Sequence, residues 1–83
     1  MKQFLYFSAT WCGPCKAFGP IMDRVSASGI PVQKVDVDSQ KNLVSQYQVG
    51  GVPTTILIKD GQVVNRFTGA KSEQEIKAIH GSY

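Results

Sequence analysis

The sequence is poor in the residues that define several protein classes. Its 83 residues include only two cysteines, one histidine and one tryptophan, and nine basic against six acidic residues leave a net charge of +3. Two cysteines are too few for a disulfide-stapled scaffold, and they supply half of a four-ligand zinc site. The basic residues are dispersed along the chain, which argues against binding to nucleic acid.

Long apolar runs are absent as well. No run approaches the length that spans a membrane, and the run Phe4–Phe7, which follows a single lysine, is too short for a secretory signal. We therefore expect a cytoplasmic chain that does not enter a membrane. Its length and its 42% hydrophobic content predict one globular domain over residues 1–83, which we expect to be monomeric.

The only two cysteines lie three positions apart, in the segment Trp11-Cys12-Gly13-Pro14-Cys15. An apolar run before this segment predicts a buried strand over residues 3–8, and apolar spacing after it predicts a helix from about Cys12 to Ala27. Two thiols on the first turn of a helix can close a disulfide with little backbone movement. Unpaired N–H groups at a helix start also favour the reactive thiolate. The segment therefore predicts thiol–disulfide exchange.

The rest of the chain alternates strands and helices. The patterns predict strands over residues 31–37, 54–58 and 62–67, a short helix capped by Ser39 and ended by Gly50-Gly51, and a final helix that begins with the capping box of Ser72 and Glu75. Asp60-Gly61 predicts a tight hairpin between the last two strands. The order is thus β-α-β-α-β-β-α, an α/β fold with helices on both faces of the sheet. Pro20 lies inside the first helix and is expected to bend it.

Taken in order and spacing, four motifs resemble the thioredoxin family: Trp11-Cys12-Gly13-Pro14-Cys15-Lys16, Pro20, Gly51-Val52-Pro53-Thr54 and Gly69-Ala70. The resemblance extends from residue 2 to about residue 79. It implies the minimal thioredoxin fold, the size of a glutaredoxin, with a four-stranded mixed sheet in the order 2-1-3-4.

The resemblance also implies a function. The chain would be a thiol–disulfide oxidoreductase, a protein disulfide reductase and electron carrier that needs no cofactor beyond the reversible Cys12–Cys15 disulfide. Its partners would be proteins with disulfides and an NADPH-dependent thioredoxin reductase. The intervening pair Gly13-Pro14 resembles that of reducing members of the family. Because Cys12 lies nearer the helix start and the solvent, we expect it to be the nucleophile, and Cys15 to resolve the mixed disulfide.

Substrate binding is a further implication of the resemblance. The family has a cis peptide bond at the position of Val52-Pro53, and the backbone of Val52 would pair with an extended substrate peptide. Trp11, Gly69 and Ala70 would line the same surface. For Trp11, packing in the core is the alternative.

One residue departs from the family pattern. Thioredoxins usually place a buried aspartate six residues before the first cysteine, and this chain has Tyr6 there. The lysine that accompanies this aspartate in the family corresponds to Lys34. Because tyrosine is a poor base at neutral pH, the proton of Cys15 must go to water, to Lys34 or to another group, or its loss is slower. We predict that Tyr6→Phe changes turnover little and that Tyr6→Asp speeds it.

Three other functions stay open at this point. The chain would be a glutathione-dependent, glutaredoxin-like reductase, a binding subunit whose thiols need not turn over, or a metal module that completes a zinc site by dimerising. The remaining polar residues predict less. His80 has no second histidine as a partner ligand, and Asp36 and Asp38 are expected to be solvated charges where a strand ends.

Overall fold

The computed structural model describes residues 1–83 as one mixed sheet between helices. The elements are β1 (Lys2–Ser8), α1 (Gly13–Ala27), β2 (Val32–Asp36), α2 (Lys41–Gln46), β3 (Thr54–Lys59), β4 (Gln62–Thr68) and α3 (Glu73–Gly81). The strand order is β2-β1-β3-β4, with β2 parallel to β1 and the other pairs antiparallel. The element order and the sheet order predicted from the sequence are confirmed.

The sheet is buried on both faces, which explains why β1 is a continuous apolar run from Phe4 to Phe7. Alternate side chains of β1 point to opposite faces and enter two separate cores. One core lies under α1 and α3 and contains Phe4, Tyr6, Phe18, Met22, Val25, Leu57 and Ile76. The other contains Leu5, Phe7, Val35, Ile56 and Ile58, and residues in and just after α2 pack against it. Helices therefore cover both faces, as expected.

Local signals in the second half of the chain are also confirmed. Asp60 and Gly61 have φ angles of 52° and 85°, which is the left-handed geometry of a two-residue hairpin between β3 and β4. At the start of α3, Ser72 and Glu75 form both hydrogen bonds of the capping box. Ile76 of this helix is fully buried, whereas Ile79 is only partly buried. Pro20 lies within α1, and the bend expected there stays a prediction.

The short helix α2 differs from its prediction at both ends. Ser39 is not its cap, because the N–H groups of Ser39 and Gln40 both donate to the carbonyl of Asp36 in the turn that follows β2. The helix begins after Gln40, whose side chain makes no capping bond. It ends at Gln46, before Gly50, and the residue that leaves the helix in the left-handed region is Gln48, with φ 52°.

The two chain ends lie at one end of the sheet. The Met1 ammonium pairs with Asp60 in the hairpin, and the neighbouring Lys59 donates to the carbonyl of Tyr83. Because β1 begins here, the segment that follows β1 lies at the opposite end. None of the three helices combines the length and the apolar character that crossing a membrane requires.

Candidate functional site

Cys12 and Cys15 lie just beyond the end of β1 and are joined by a disulfide, with their Cα atoms 5.3 Å apart. Both residues are only 5% exposed, because they pack with Ala9 while Val37 and Val52 lie against them. The expectation that Cys12 is nearer the solvent than Cys15 is therefore wrong for the disulfide form. The two cysteines differ instead in their position on the helix.

Cys12 is the N-cap of α1, and its Sγ accepts a hydrogen bond from the N–H of Cys15 at 3.2 Å. Gly13 and Pro14 form the exposed first turn, which contains no acidic side chain. The positive end of the helix dipole is therefore not offset by a local carboxylate, and it favours negative charge on the sulfur of Cys12. The start of α1 is thus a position that favours negative charge, and Cys12 occupies it.

The loop before β3 lies against the disulfide. The Val52–Pro53 peptide bond is cis, and Val52 contacts the cysteine cluster. The carbonyl of Pro53 accepts a hydrogen bond from the N–H of Gly69 at 2.9 Å, and Gly69 has a φ of 82° that favours glycine. The structure therefore brings together Val52, Pro53 and Gly69, and the exposed Ala70 follows directly in the chain.

Trp11 is 68% exposed, so the alternative of core packing is wrong. Its indole Nε1–H donates to Oδ2 of Asp38 at 2.8 Å, which ties the ring to the turn that follows β2. Sequence reasoning missed this role of Asp38, since alternation alone places it at a strand end and does not show what lies across from it. The ring forms one wall of an apolar groove of about 430 Å³, whose other side includes Val44, Val49 and Val52.

Tyr6 fills the space beneath the first turn of α1. It is 2% exposed, and its hydroxyl donates to the carbonyl oxygen of Cys15 at 3.1 Å. Its ring meets the ring of Phe18 edge-on at 5.5 Å. Burial raises the pKa of the Tyr6 phenol above its usual value. Tyr6 is therefore neutral at physiological pH and cannot serve there as a base.

Lys34 does not approach a buried carboxylate. Its ammonium pairs with Asp23 of α1, and both side chains are more than half exposed. Between β2 and α1 lies a notch of about 180 Å³, which is lined by Lys34, Cys15 and Asp36 among others. The notch opens beside Cys15 and is separate from the apolar groove.

No cluster of three or more histidine, cysteine or carboxylate side chains stands close enough to hold a metal ion. His80 lies far from the cysteines along α3, where its ring is 6.0 Å from the ring of Phe4. Burial, and then the charge of Lys2, lower the pKa of His80.

Comparison with known proteins gives a consistent result. The family model for thioredoxin matches residues 2–80. The mitochondrial thioredoxin of Mus musculus is 41% identical over 76 residues, which cover 88% of this chain and 46% of the mouse protein. The chain thus spans about half the length of this relative. A bifunctional thioredoxin reductase/thioredoxin of Mycobacterium leprae is 40% identical over 70 residues, which cover 81% of this chain and 15% of that protein.

Solved structures agree with the sequence comparisons. A mutant thioredoxin from Halobacterium salinarum NRC-1 superimposes with a TM-score of 0.92 at 36% identity. The match covers 99% of this chain and 74% of that one.

Proposed function

The chain belongs to the thioredoxin family, and from this premise we propose that it is a protein disulfide reductase that works through Cys12 and Cys15. The observation that carries the proposal is the N-cap position of Cys12, where the N–H of Cys15 lies 3.2 Å from its sulfur. The same hydrogen bond and the helix start stabilise a thiolate once the disulfide is reduced. Thiolate is the form of sulfur that attacks a disulfide.

The reaction runs in two exchanges. The Cys12 thiolate attacks one sulfur of the substrate disulfide, and the other substrate sulfur leaves as a thiolate. Cys15 then loses its proton and attacks the sulfur of Cys12, which releases the second substrate thiolate and leaves the Cys12–Cys15 disulfide. Two electrons pass from the protein to the substrate, and no cofactor takes part.

Substrate recognition belongs to the surface around the disulfide. Neither the N–H nor the C=O of Val52 takes part in a backbone hydrogen bond, so both are free to pair with an extended substrate segment. Trp11, Gly69 and Ala70 flank this backbone in our proposal. The apolar groove between Trp11 and α2 is large enough for a bulky apolar side chain of the substrate.

The reductant that returns the disulfide to the dithiol is proposed to be an NADPH-dependent thioredoxin reductase. The support is the relative from Mycobacterium leprae, which is named as a fusion of such a reductase with a thioredoxin. We propose further that the protein acts as a monomer in the cytoplasm, where a reducing thiol pool suits a disulfide reductase.

Trapping of the mixed disulfide tests the proposal. In the Cys15→Ser variant, Cys12 still attacks a disulfide, but no second thiol is present to release the product. We expect a covalent adduct between this variant and a disulfide-containing protein, visible as the summed mass by mass spectrometry and lost on addition of a reducing agent.

Cys12→Ser is the matched control, because it keeps one thiol but removes the one at the helix start. It is expected to form no adduct at the same pH. Adducts of equal yield with both variants, or none with Cys15→Ser, would contradict the assigned roles.

A further inference from the structure

The second exchange needs an acceptor for the proton of Cys15, and Tyr6 is not that acceptor. The phenol of Tyr6 is neutral, and its hydroxyl already donates to the backbone carbonyl of Cys15. A group that lies elsewhere around Cys15 must therefore take the proton. The inference that follows rests on the proposed function, since it concerns the second of the two exchanges.

The notch beside Cys15 supplies a route to such a group. Its volume of about 180 Å³ is enough for several water molecules, and it is open to the solvent. The titratable groups that line it are Tyr6 from β1, Lys16 from α1, and Lys34 and Asp36 from β2, in addition to Cys15. Asp36 is the only carboxylate among them.

Asp36 is held in place by the local backbone. It is the last residue of β2, where it is paired in register with Ser8 of β1, and it is half-buried. Its Oδ1 accepts a hydrogen bond from the N–H of Asp38 at 2.8 Å. Lys34, its neighbour on the same side of the strand, is paired with Asp23 and not with Asp36. The second carboxylate oxygen of Asp36 thus has no ion-pair partner and is free to bind water.

We propose that Asp36 is the proton acceptor for Cys15 in the second exchange, with water in the notch carrying the proton. The Cys15 thiol loses its proton to this water as the Asp36 carboxylate takes one from it. The resulting thiolate attacks the sulfur of Cys12, the bond between Cys12 and the substrate sulfur breaks, and the substrate leaves as a thiolate that is protonated by solvent. Cys12 and Cys15 are oxidised, and the substrate is reduced.

The basic residues of the notch suit this step. Lys16 and Lys34 both line it, so positive charge lies near the sulfur that becomes negative. An ammonium group has donors and no acceptor, which leaves the Asp36 carboxylate as the proton acceptor of the notch. In this chain the carboxylate that shares the notch with Cys15 thus comes from the end of β2, and Tyr6 on β1 is a hydrogen-bond donor.

The Asp36→Asn variant tests the proposal. Asparagine keeps the side-chain oxygen that accepts the N–H of Asp38 but cannot take a proton at neutral pH. Reduced protein is mixed with a symmetrical aromatic disulfide that releases a coloured thiolate, and stopped-flow absorbance resolves two phases. The first phase reports the attack by Cys12, and the second reports the attack by Cys15.

We expect Asp36→Asn to slow the second phase roughly tenfold at neutral pH. This effect is smaller than is usual for general base catalysis because water lies between the Cys15 thiol and the Asp36 carboxylate. The first phase is expected to be unchanged. The deficit should shrink as the pH rises and the Cys15 thiol ionises without help, whereas a merely structural defect would persist at every pH. Asp36→Glu, which keeps a carboxylate in the notch, should restore part of the rate.

Asp60→Asn is the matched control, because it removes the same charge at the opposite end of the sheet, and both phases should be unaffected. A second phase of wild-type speed in Asp36→Asn overturns the proposal, as does a pH-independent deficit or an equal slowing of both phases in a variant of wild-type stability. If the wild-type protein shows no first phase, the proposed function itself has failed, and this outcome is distinct from the others.

Discussion

At the position where the family has an aspartate, Tyr6 supplies a hydrogen-bond donor in place of a proton acceptor. The phenol is long enough to reach the carbonyl of Cys15 from β1, and burial keeps it neutral. It therefore anchors the first turn of α1 as a donor but contributes no base. The residue could be identified from the sequence as a departure from the family. Its hydrogen bond could not, because it depends on the distance between β1 and α1.

Tyr6→Phe is expected to lower the free energy of unfolding by about 1 kcal/mol, because the hydrogen bond to Cys15 is lost while the ring still packs on Phe18. Turnover in a disulfide-reduction assay should change little, since a neutral phenol accepts no proton. Urea denaturation and steady-state reduction of a protein disulfide measure the two effects. A large loss of turnover in a variant with near wild-type stability would show that the hydroxyl takes part in the chemistry.

Among the elements, α2 is the one whose limits the sequence predicted least well. Its six residues include none that is fully buried, so no strong apolar pattern defines its ends. The serine and glycines that suggest a cap and a stop are used in the flanking turns instead. By contrast, the continuous apolar run predicts β1, the helical spacing of apolar residues predicts α1, and the turn residues predict the β3–β4 hairpin. Each of these local patterns is compatible with only one kind of secondary structure.

Some residues of the site could likewise be identified from the sequence, whereas others could not. The positions of Cys12 and Cys15 follow from one short segment, and the resemblance to a family pointed to Val52, Pro53 and Gly69. Asp38 is exposed as expected, but its hydrogen bond with Trp11 was missed because it joins residues 27 positions apart. The involvement of Asp36 with the notch was missed for the same reason, since β1, α1 and β2 build the notch together.

The turn after α2 allows a test of backbone strain at Gln48. Gln48 has a φ of 52°, a region that costs about 1 kcal/mol for residues other than glycine. Its carbonyl lies 3.5 Å from the guanidinium of Arg66, a backbone contact that does not depend on the side chain. Gln48→Gly is therefore expected to raise the free energy of unfolding by roughly 0.5–1 kcal/mol in urea denaturation.

Ser45→Gly is the control for this substitution, because it introduces the same residue within the helical part of α2. It should lower the free energy of unfolding by about 0.5 kcal/mol, in the opposite direction. If both glycine variants are destabilised alike, the left-handed geometry of Gln48 is not a source of strain in solution.

At the scale of the whole molecule, protonation of His80 makes the free energy of unfolding depend on pH. Its side chain lies near Phe4 on β1, Lys2 donates to its carbonyl at 2.7 Å, and burial followed by the charge of Lys2 lowers its pKa below 6.5. The folded state therefore binds a proton at this site less readily than the unfolded state. The contribution of His80 to the free energy of unfolding is complete at pH values above its pKa in the unfolded state. This contribution declines as the pH falls through its pKa in the folded state.

We expect the free energy of unfolding to fall as the pH is lowered from about 7 to about 5, and His80→Gln to flatten this slope. Urea denaturation at several pH values in this interval measures it. The carboxylates with lowered pKa values, Asp60, Glu73 and Glu75, lose their contribution only at lower pH, below 4.5. A slope that His80→Gln leaves unchanged would assign the pH dependence to another group.

The placement of the two chain ends has a practical consequence. Met1 and Tyr83 both contact the hairpin that joins β3 and β4, whereas the disulfide lies beyond the far end of β1. A carrier or a solid support attached through either terminus would therefore face away from the sulfurs. Immobilised in this way, the molecule would expose the end that carries Cys12 and Cys15 to the surrounding solution.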